Sequence, residues 1–153
     1  MGIGTDQEMR EQVESLVQKV VVGEGEAVFT TVDSKGAPHA TWMGTLSAEG
    51  LKELVTITSP DSDKVANLIE NPKVEWMFTD AAKTTIVYLR GEAEVVEDVS
   101  DVKRAWEGIE DKGRAYFLDH YNSGMGFAVI RTHVREVELC MPEEFRKERI
   151  VLE

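Results

Sequence analysis

The sequence predicts a mainly β fold with helices (α+β), in which six strands form a small antiparallel barrel. Three observations lead to this prediction: six runs rich in β-branched and aromatic residues, short turns between most of them, and helical periodicity limited to the N-terminus and two inserted segments. Six consecutive antiparallel strands close most easily on themselves. The chain has 153 residues, so residues 1–153 fit one domain.

The N-terminal part of the chain predicts one helix and one hairpin. Residues 6–22 form the helix, because one apolar stripe recurs at helical spacing, made up of Met9, Val13, Leu16, Val17 and Val20. Residues 27–32 and 38–46 read as the first two strands. The turn over 33–36 places Gly36 where a positive φ is required.

A third strand and a second helix follow. Residues 47–52 are polar and predict a loop, and residues 53–58 predict the third strand. Asp61 or Ser59 is expected to cap the next helix, which ends at Asn71 because a proline follows. Its predicted apolar face consists of Val65, Leu68 and Ile69.

The remaining strands are longer. Residues 73–79 predict the fourth strand and residues 84–96 the fifth, where Gly91 on the buried face indicates a bend or a close backbone approach. Residues 98–121 predict one broken helix or two short ones.

Residues 127–141 predict the sixth strand, in which the apolar parity switches near Arg135 and Glu136, as a β-bulge would cause. The barrel thus spans 27–141. The charged tail, 142–153, is expected to pack on the surface or stay mobile.

Composition excludes several classes of function. The formal net charge of −12 argues against nucleic acid and anionic membranes as partners, since both require a basic surface. Cys140 is the single cysteine, so no internal disulfide forms and we expect a cytoplasmic protein. One cysteine and three scattered histidines also make a metal site improbable.

The start of the second helix carries the clearest sign of a ligand. Backbone N–H groups, the hydroxyls of Ser59 and Ser62 and the ammonium of Lys64 fall within one turn, which suits a phosphate dianion. Asp61 and Asp63 oppose an anion and fit an empty helix start equally well. Both interpretations are open at this point.

Several blocks in register then point to a family. They are Val32-Asp33 with Gly36-Ala37-Pro38-His39, Thr41-Trp42-Met43-Gly44, Thr58-Ser59 with Ser62 and Lys64, Asn71-Pro72-Lys73-Val74, and Gly91-Glu92-Ala93 with Val95 and Asp98. In this order the chain resembles the pyridoxamine 5′-phosphate oxidase-like, FMN-binding split-barrel family, most closely its general stress protein branch. The resemblance covers residues 27–134.

The resemblance implies a homodimer that binds FMN where the two protomers meet. By position, the residues expected to flank the flavin ring are Thr41, Trp42, Met43 and Gly44. Those expected at the phosphate are Thr58, Ser59, Ser62 and Lys64. Gly44 fits this role because a missing side chain lets a flat ring approach the backbone.

Two departures from the family pattern affect the expected reaction. Asp63 stands where the full-length oxidases have arginine, so phosphate affinity is expected to be modest unless Arg131, His133 or Arg135 compensates. The segment with which those oxidases grip pyridoxal phosphate is not found before Glu153. Oxidation of pyridoxamine phosphate is therefore not expected.

The residues leave three functions open. The first is an FMN-dependent oxidoreductase of an unknown small substrate, the second a non-catalytic flavin-binding or flavin-sensing module, and the third a cofactor-free dimeric barrel. No catalytic residue is assigned. Trp106 and Tyr116 are candidates to cover the partner's flavin, or simply pack between helices. His39 suits a hydrogen bond at a strand end, and haem ligation by His120 or His133 is improbable.

Overall fold

A computed structural model describes residues 6–22, 27–43, 46–97, 100, 104, 107 and 128–152. Within these ranges lie two helices with described bounds, eight strands and one 3₁₀ turn, and the single residues 100, 104 and 107 are also helical. Their bounds are α1 (Asp6–Val22), β1 (Ala27–Val32), β2 (Pro38–Met43), β3 (Leu46–Glu49), β4 (Glu53–Thr58), α2 (Asp63–Glu70), β5 (Lys73–Thr79), β6 (Ile86–Val96), β7 (Ala128–Met141), the 3₁₀ turn (Pro142–Glu144) and β8 (Arg146–Val151).

The strands form a mainly antiparallel half-barrel. Their order is β2-β1-β5-β6-β7-β4-β3, and β8 pairs with β7 beside β4. β2 and β3 stand at opposite ends of this order, yet only two residues separate Met43 from Leu46. Three Cα–Cα steps span at most about 11 Å, so the sheet must curl until its two ends come close together.

The described strands number eight rather than the six predicted, and the two additional strands lie mostly where the sequence predicted a loop or a tail. Residues 46–49, divided between the end of the predicted second strand and a polar loop, form β3 against β4. The charged tail forms β8 along the C-terminal half of β7. These polar segments form strands because the neighbouring strand supplies hydrogen-bond partners for their backbones. The β-propensity of single residues does not reflect such partners.

The core lies inside the half-barrel and beneath α1. Trp76 stacks between Phe29 and Phe78, with ring centroids 4.4 and 6.0 Å apart. Its indole Nε1 donates a hydrogen bond of 3.0 Å to Thr132 Oγ1, so the polar atom of this fully buried ring is satisfied. The α1 residues that reach the core are Met9, Val13, Leu16 and Val17.

Gly91 and the bulge on β7 confirm two sequence predictions. Arg90 pairs with Glu136 while Gly91 pairs with Val134, so Arg135 is the extra residue. A Cβ on Gly91 would lie 1.9 Å from the His133 carbonyl oxygen, closer than any real contact. Glycine is therefore required at this close backbone approach.

The predicted hairpin turn is also confirmed. Gly36 has a φ of +87°, and the Asp33 carboxylate accepts bonds from the backbone N–H groups of Lys35 and Ala37, each at 2.9 Å. The helical prediction for 98–121 falls almost entirely outside the described residues. Neither α1 nor α2 is both long and apolar enough to cross a bilayer.

Candidate functional site

The turn from β4 into α2 is built by a short hydrogen-bonded loop. The Ser62 N–H donates to the Ser59 carbonyl at 3.1 Å, and the Ala66 N–H then donates to the Ser62 carbonyl at 3.4 Å. Ser62 is thus the residue before the first helical position, with an extended backbone (φ −73°, ψ 155°). The N–H groups of the first turn have no intrahelical acceptor and point out of the helix start.

Two serine hydroxyls at this turn are buried and have no hydrogen-bond partner among the described residues. They are the Oγ atoms of Ser59 and Ser62. The sequence predicted Ser59 or Asp61 as the helix cap; this is wrong, because Ser62 occupies the cap position and its side chain makes no capping bond. A buried hydroxyl without a partner is unfavourable, so an anion with free acceptor oxygens fits both atoms.

Lys64 lies in the first turn of α2 and is partly buried. Burial lowers the pKa of its ammonium, and the neighbouring Asp63 carboxylate offsets this in part. Among the described residues Lys64 forms no ion pair. A dianion would supply the missing countercharge.

α2 packs differently from the prediction. Leu68 is buried as expected, but Ile69 is 74% exposed. Asn67 is buried instead, and its amide nitrogen donates a 3.0 Å bond to Thr31 Oγ1 on β1. This polar contact sets the rotation of α2 and turns Ile69 outward.

The residues predicted to flank a flavin ring lie at the end of β2. Trp42, opposite Val28, is 66% exposed, so its ring is not part of the core. The Met43 side chain is buried in the core, and Thr41 is half-buried opposite Phe29. Gly44 lies outside the described residues.

Chain connectivity limits the distance between the two groups of predicted residues. Two residues separate Met43 from Leu46, so their Cα atoms lie within about 11 Å of each other. Leu46 on β3 lies opposite Thr56 on β4. Thr58, which is buried, ends β4 just before the Ser59 turn. The chain thus links the end of β2 to the strand that pairs with β4.

Several other candidates already have partners. His39 Nε2 lies 3.0 Å from Asp33 Oδ2 in the hairpin, as the predicted strand-end role requires. Arg131 pairs with Glu53 and His133 with Glu94.

Arg135, 60% exposed, lies 3.9 Å from Glu92. These three basic groups of β7 form ion pairs with carboxylates of β4 and β6. Trp106, Tyr116 and His120 lie outside the described residues.

Sequence reasoning missed a charged cluster on the outer sheet face. Arg90 Nε donates to Glu75 at 2.8 Å and its Nη1 to Glu138 at 3.1 Å. The Glu138 side chain is only 2% exposed and also meets Lys147 and Arg149. Side chains alternate between the two faces of a strand, and Arg90 lies on the outer face of β6. The other charged residues of the cluster lie on β5, β7 and β8, which only strand pairing brings together.

Arg90 also borders a shallow concavity of about 500 Å³ on the same outer face. Most of the charged residues that line it form ion pairs with one another, such as Arg90 with Glu136 at 3.5 Å. We therefore place the candidate site at the α2 turn, where polar groups lack partners.

Comparisons with known proteins agree with this architecture. The family described as pyridoxamine 5′-phosphate oxidase matches residues 8–141. A Clostridium acetobutylicum protein related to general stress protein 26 is similar in structure at 17% identity, with 97% of both chains covered and a TM-score of 0.77. No curated protein matches the sequence.

Two further structures share the fold. General stress protein 26 from Bacillus anthracis is 16% identical, with 91% of this chain and 99% of that chain covered and a TM-score of 0.64. A heme binding protein from Mycobacterium smegmatis is 17% identical, with 93% and 57% covered and a TM-score of 0.72. At these identities the likeness establishes the fold alone.

Proposed function

Because the chain belongs to the pyridoxamine 5′-phosphate oxidase family, we propose that it binds FMN and acts as a flavin-dependent oxidoreductase on a small molecule. The observation that carries the proposal is the pair of buried, unpartnered hydroxyls of Ser59 and Ser62 beside the Lys64 ammonium. Together they offer two hydroxyl donors, one cation and the N–H groups of a helix start. These are the groups that a phosphate monoester requires.

The flavin ring is proposed to lie along the end of β2. Thr41, Trp42 and Met43 end this strand and Gly44 follows in the sequence, while Thr58 ends the strand that leads to the turn proposed to bind the phosphate. Trp42 offers a flat exposed face, which suits contact with a ring or with a partner subunit. We propose that a second copy of the chain covers this end, giving a homodimer with FMN at the interface.

The residues of the site hold and orient the ligand. Bound flavin accepts and returns electrons, which is the chemistry that the chain's own residues do not supply. Lys64 and the two serines fix the phosphate, and β2 sets the position of the ring. No described side chain is assigned as a general acid or base. With a free thiol at Cys140, we also propose a cytoplasmic location.

A visible spectrum of protein purified without added cofactor tests the proposal. We expect flavin absorption bands, release of FMN on denaturation identified by mass spectrometry, and a dimer in solution. A colourless protein that also leaves the fluorescence of added FMN unquenched would refute it. Anaerobic mixing with reduced nicotinamides then separates an enzyme, whose flavin bleaches, from a non-catalytic flavin-binding module, whose flavin does not.

Haem is less well supported, although one similar structure is a heme binding protein. His39 already faces Asp33 at 3.0 Å, and His133 faces Glu94 at 3.5 Å. In both contacts Nε2 faces the carboxylate, which leaves Nδ1 as the nitrogen that would have to bind iron. The same spectrum distinguishes the two cofactors, because haem gives an intense band near the ultraviolet that flavin lacks.

A further inference from the structure

A second cavity, of about 360 Å³, lies between α1, the turn from β3 to β4, and the residue that follows β8. Its volume is within the range of small-molecule sites. It shares no lining residue with the turn before α2. Leu51 and Leu152 give it apolar walls, and charged side chains of α1 and the turn line the rest.

Both walls that face α1 are fixed to β7 at its bulge. The Val134 N–H donates a 2.9 Å bond to the Lys52 carbonyl, and the Leu152 N–H donates a 2.7 Å bond to the Arg135 carbonyl. These backbone bonds hold the turn and the C-terminal segment against two adjacent residues of β7, Val134 and Arg135. The cavity is therefore preorganised rather than a gap between loose segments.

Arg10 on α1 supplies an unsatisfied cation. Its Nε is buried without a hydrogen-bond partner, and Arg10 forms no ion pair with any described residue. A buried charged donor without an acceptor is costly, and a carboxylate is the acceptor that fits guanidinium best. Lys52 brings a second cation to the same cavity.

Glu14 supplies the opposite charge one helical turn further on. Residues four apart lie on the same helix face, and both Arg10 and Glu14 line the cavity. Glu14 Oε1 lies 3.2 Å from the position that a Cβ on Gly50 would occupy, so the carboxylate packs over the turn. It makes no ion pair with Arg10 although the spacing permits one.

The presence of both charge signs in the cavity determines which class of ligand fits it. A bare anion at Arg10 would be repelled by Glu14, and a bare cation at Glu14 would be repelled by Arg10 and Lys52. We propose that this cavity binds a small zwitterion of the amino-acid class, whose carboxylate contacts Arg10 and Lys52 and whose ammonium contacts Glu14. Leu51 and Leu152 then cover its aliphatic part.

Titration of the full chain followed by two-dimensional NMR of its backbone amides tests this site. The probes are L-alanine, acetate, which carries only the carboxylate, and methylammonium, which carries only the cation. We expect saturable shifts in α1 and in residues 50–52 with L-alanine, and at least about tenfold weaker binding of each fragment. The response should be the same with and without FMN.

Three variants locate the charges. Arg10→Gln should weaken L-alanine and acetate binding by at least about tenfold, and Arg10→Lys, which keeps the charge but loses Nε, should weaken both as well. Glu14→Gln should abolish the preference for L-alanine over acetate. Lys19→Gln, an exposed change on the same helix outside the cavity, is the matched control and should leave all affinities unchanged.

Three results would each overturn the proposal: no saturable shift with any probe, equal affinity of the native chain for L-alanine and acetate, or full L-alanine binding by folded Arg10→Lys. Amide spectra of each variant without a probe verify its fold. None of these outcomes bears on FMN, whose binding is measured separately.

Discussion

The outer-face cluster around Arg90 and the turn before α2 both bury polar groups, but only the cluster satisfies them. Arg90 meets three carboxylates, and the buried Glu138 meets three cations. At the turn, Ser59 Oγ and Ser62 Oγ have no partner. A satisfied cluster supports the fold, whereas an unsatisfied one fits a ligand, so the two regions should respond oppositely to mutation.

The pKa shifts reflect the same contrast. The bonds to Glu75 and Glu138 raise the pKa of the Arg90 guanidinium. Burial works to raise the pKa of Glu138, yet the guanidinium and Lys147 outweigh it and hold that pKa below its usual range. At the turn, burial lowers the pKa of Lys64, which is the sign expected of a cation that lacks a partner.

The largest expected effect is on stability and comes from Arg90→Met. Removing the guanidinium leaves Glu75, Glu136 and Glu138 close together, with Glu138 buried. We expect a loss of about 3 kcal/mol in the free energy of unfolding, measured by urea denaturation, with FMN affinity unchanged.

The control for this variant is Lys147→Met, which removes a 67% exposed partner of the same Glu138 carboxylate. It should cost less than about 1 kcal/mol. If both variants lost the same free energy of unfolding, the burial of the removed cation would not determine how much its ion pairs stabilise the fold.

The next effect is on ligand affinity and comes from Lys64→Ala. We expect FMN binding to weaken by about 10- to 100-fold, since one charge-assisted contact is worth about 1.5–3 kcal/mol. The flavin-free protein should keep its stability, because Lys64 has no partner to lose among the described residues. Fluorescence titration measures the affinity.

Lys73→Ala on β5 is the matched control, because it removes an exposed cation away from the turn. It should bind FMN as the native chain does. Unchanged affinity in Lys64→Ala would remove this lysine from the proposed phosphate site.

Ser62→Ala gives a smaller effect that separates a cap from a ligand group. A capping serine replaced by alanine normally costs about 1 kcal/mol. Because the Ser62 side chain makes no capping bond, the flavin-free protein should lose almost nothing in thermal denaturation. Its FMN affinity should still fall several-fold.

Asp33→Ala serves as the contrasting change, since Asp33 does accept bonds within its own turn and from His39. That variant should lower the stability of the flavin-free protein. A normal capping loss in Ser62→Ala would show instead that its hydroxyl is engaged in solution.

The smallest effect is a pH dependence of FMN binding. A lowered pKa means that Lys64 loses its proton at a lower alkaline pH than an ordinary lysine, whereas a phosphate monoester stays dianionic above about pH 6. FMN affinity should therefore fall as pH rises through the pKa of Lys64. In Lys64→Arg the guanidinium stays charged, so this fall should disappear; if it persists, another group causes it.

Local sequence was enough to predict the features that depend on a few adjacent residues. The close backbone approach at Gly91, the bulge near Arg135 and the turn at Gly36 are all confirmed. The interpretation of the turn at Ser59, Ser62 and Lys64 as an anion site also came from adjacent residues, and it stays a prediction, as does the assignment of FMN to that turn.

Features that depend on distant partners could not be predicted. Leu46–Glu49 and Arg146–Val151 are strands because β4 and β7 offer them free backbone groups. Ile69 faces outward because Asn67 bonds to Thr31, 36 residues earlier in the chain.

By itself, then, the sequence determined periodicity, turn chemistry and the location of one polar turn, since these follow from backbone geometry over a few residues. Only the tertiary structure decided which charges are paired, such as Arg90 with Glu138, and which have no ion-pair partner among the described residues, such as Arg10 and Glu14. The physical reason is that desolvation and countercharge depend on what lies across the fold, and chain neighbours do not encode it.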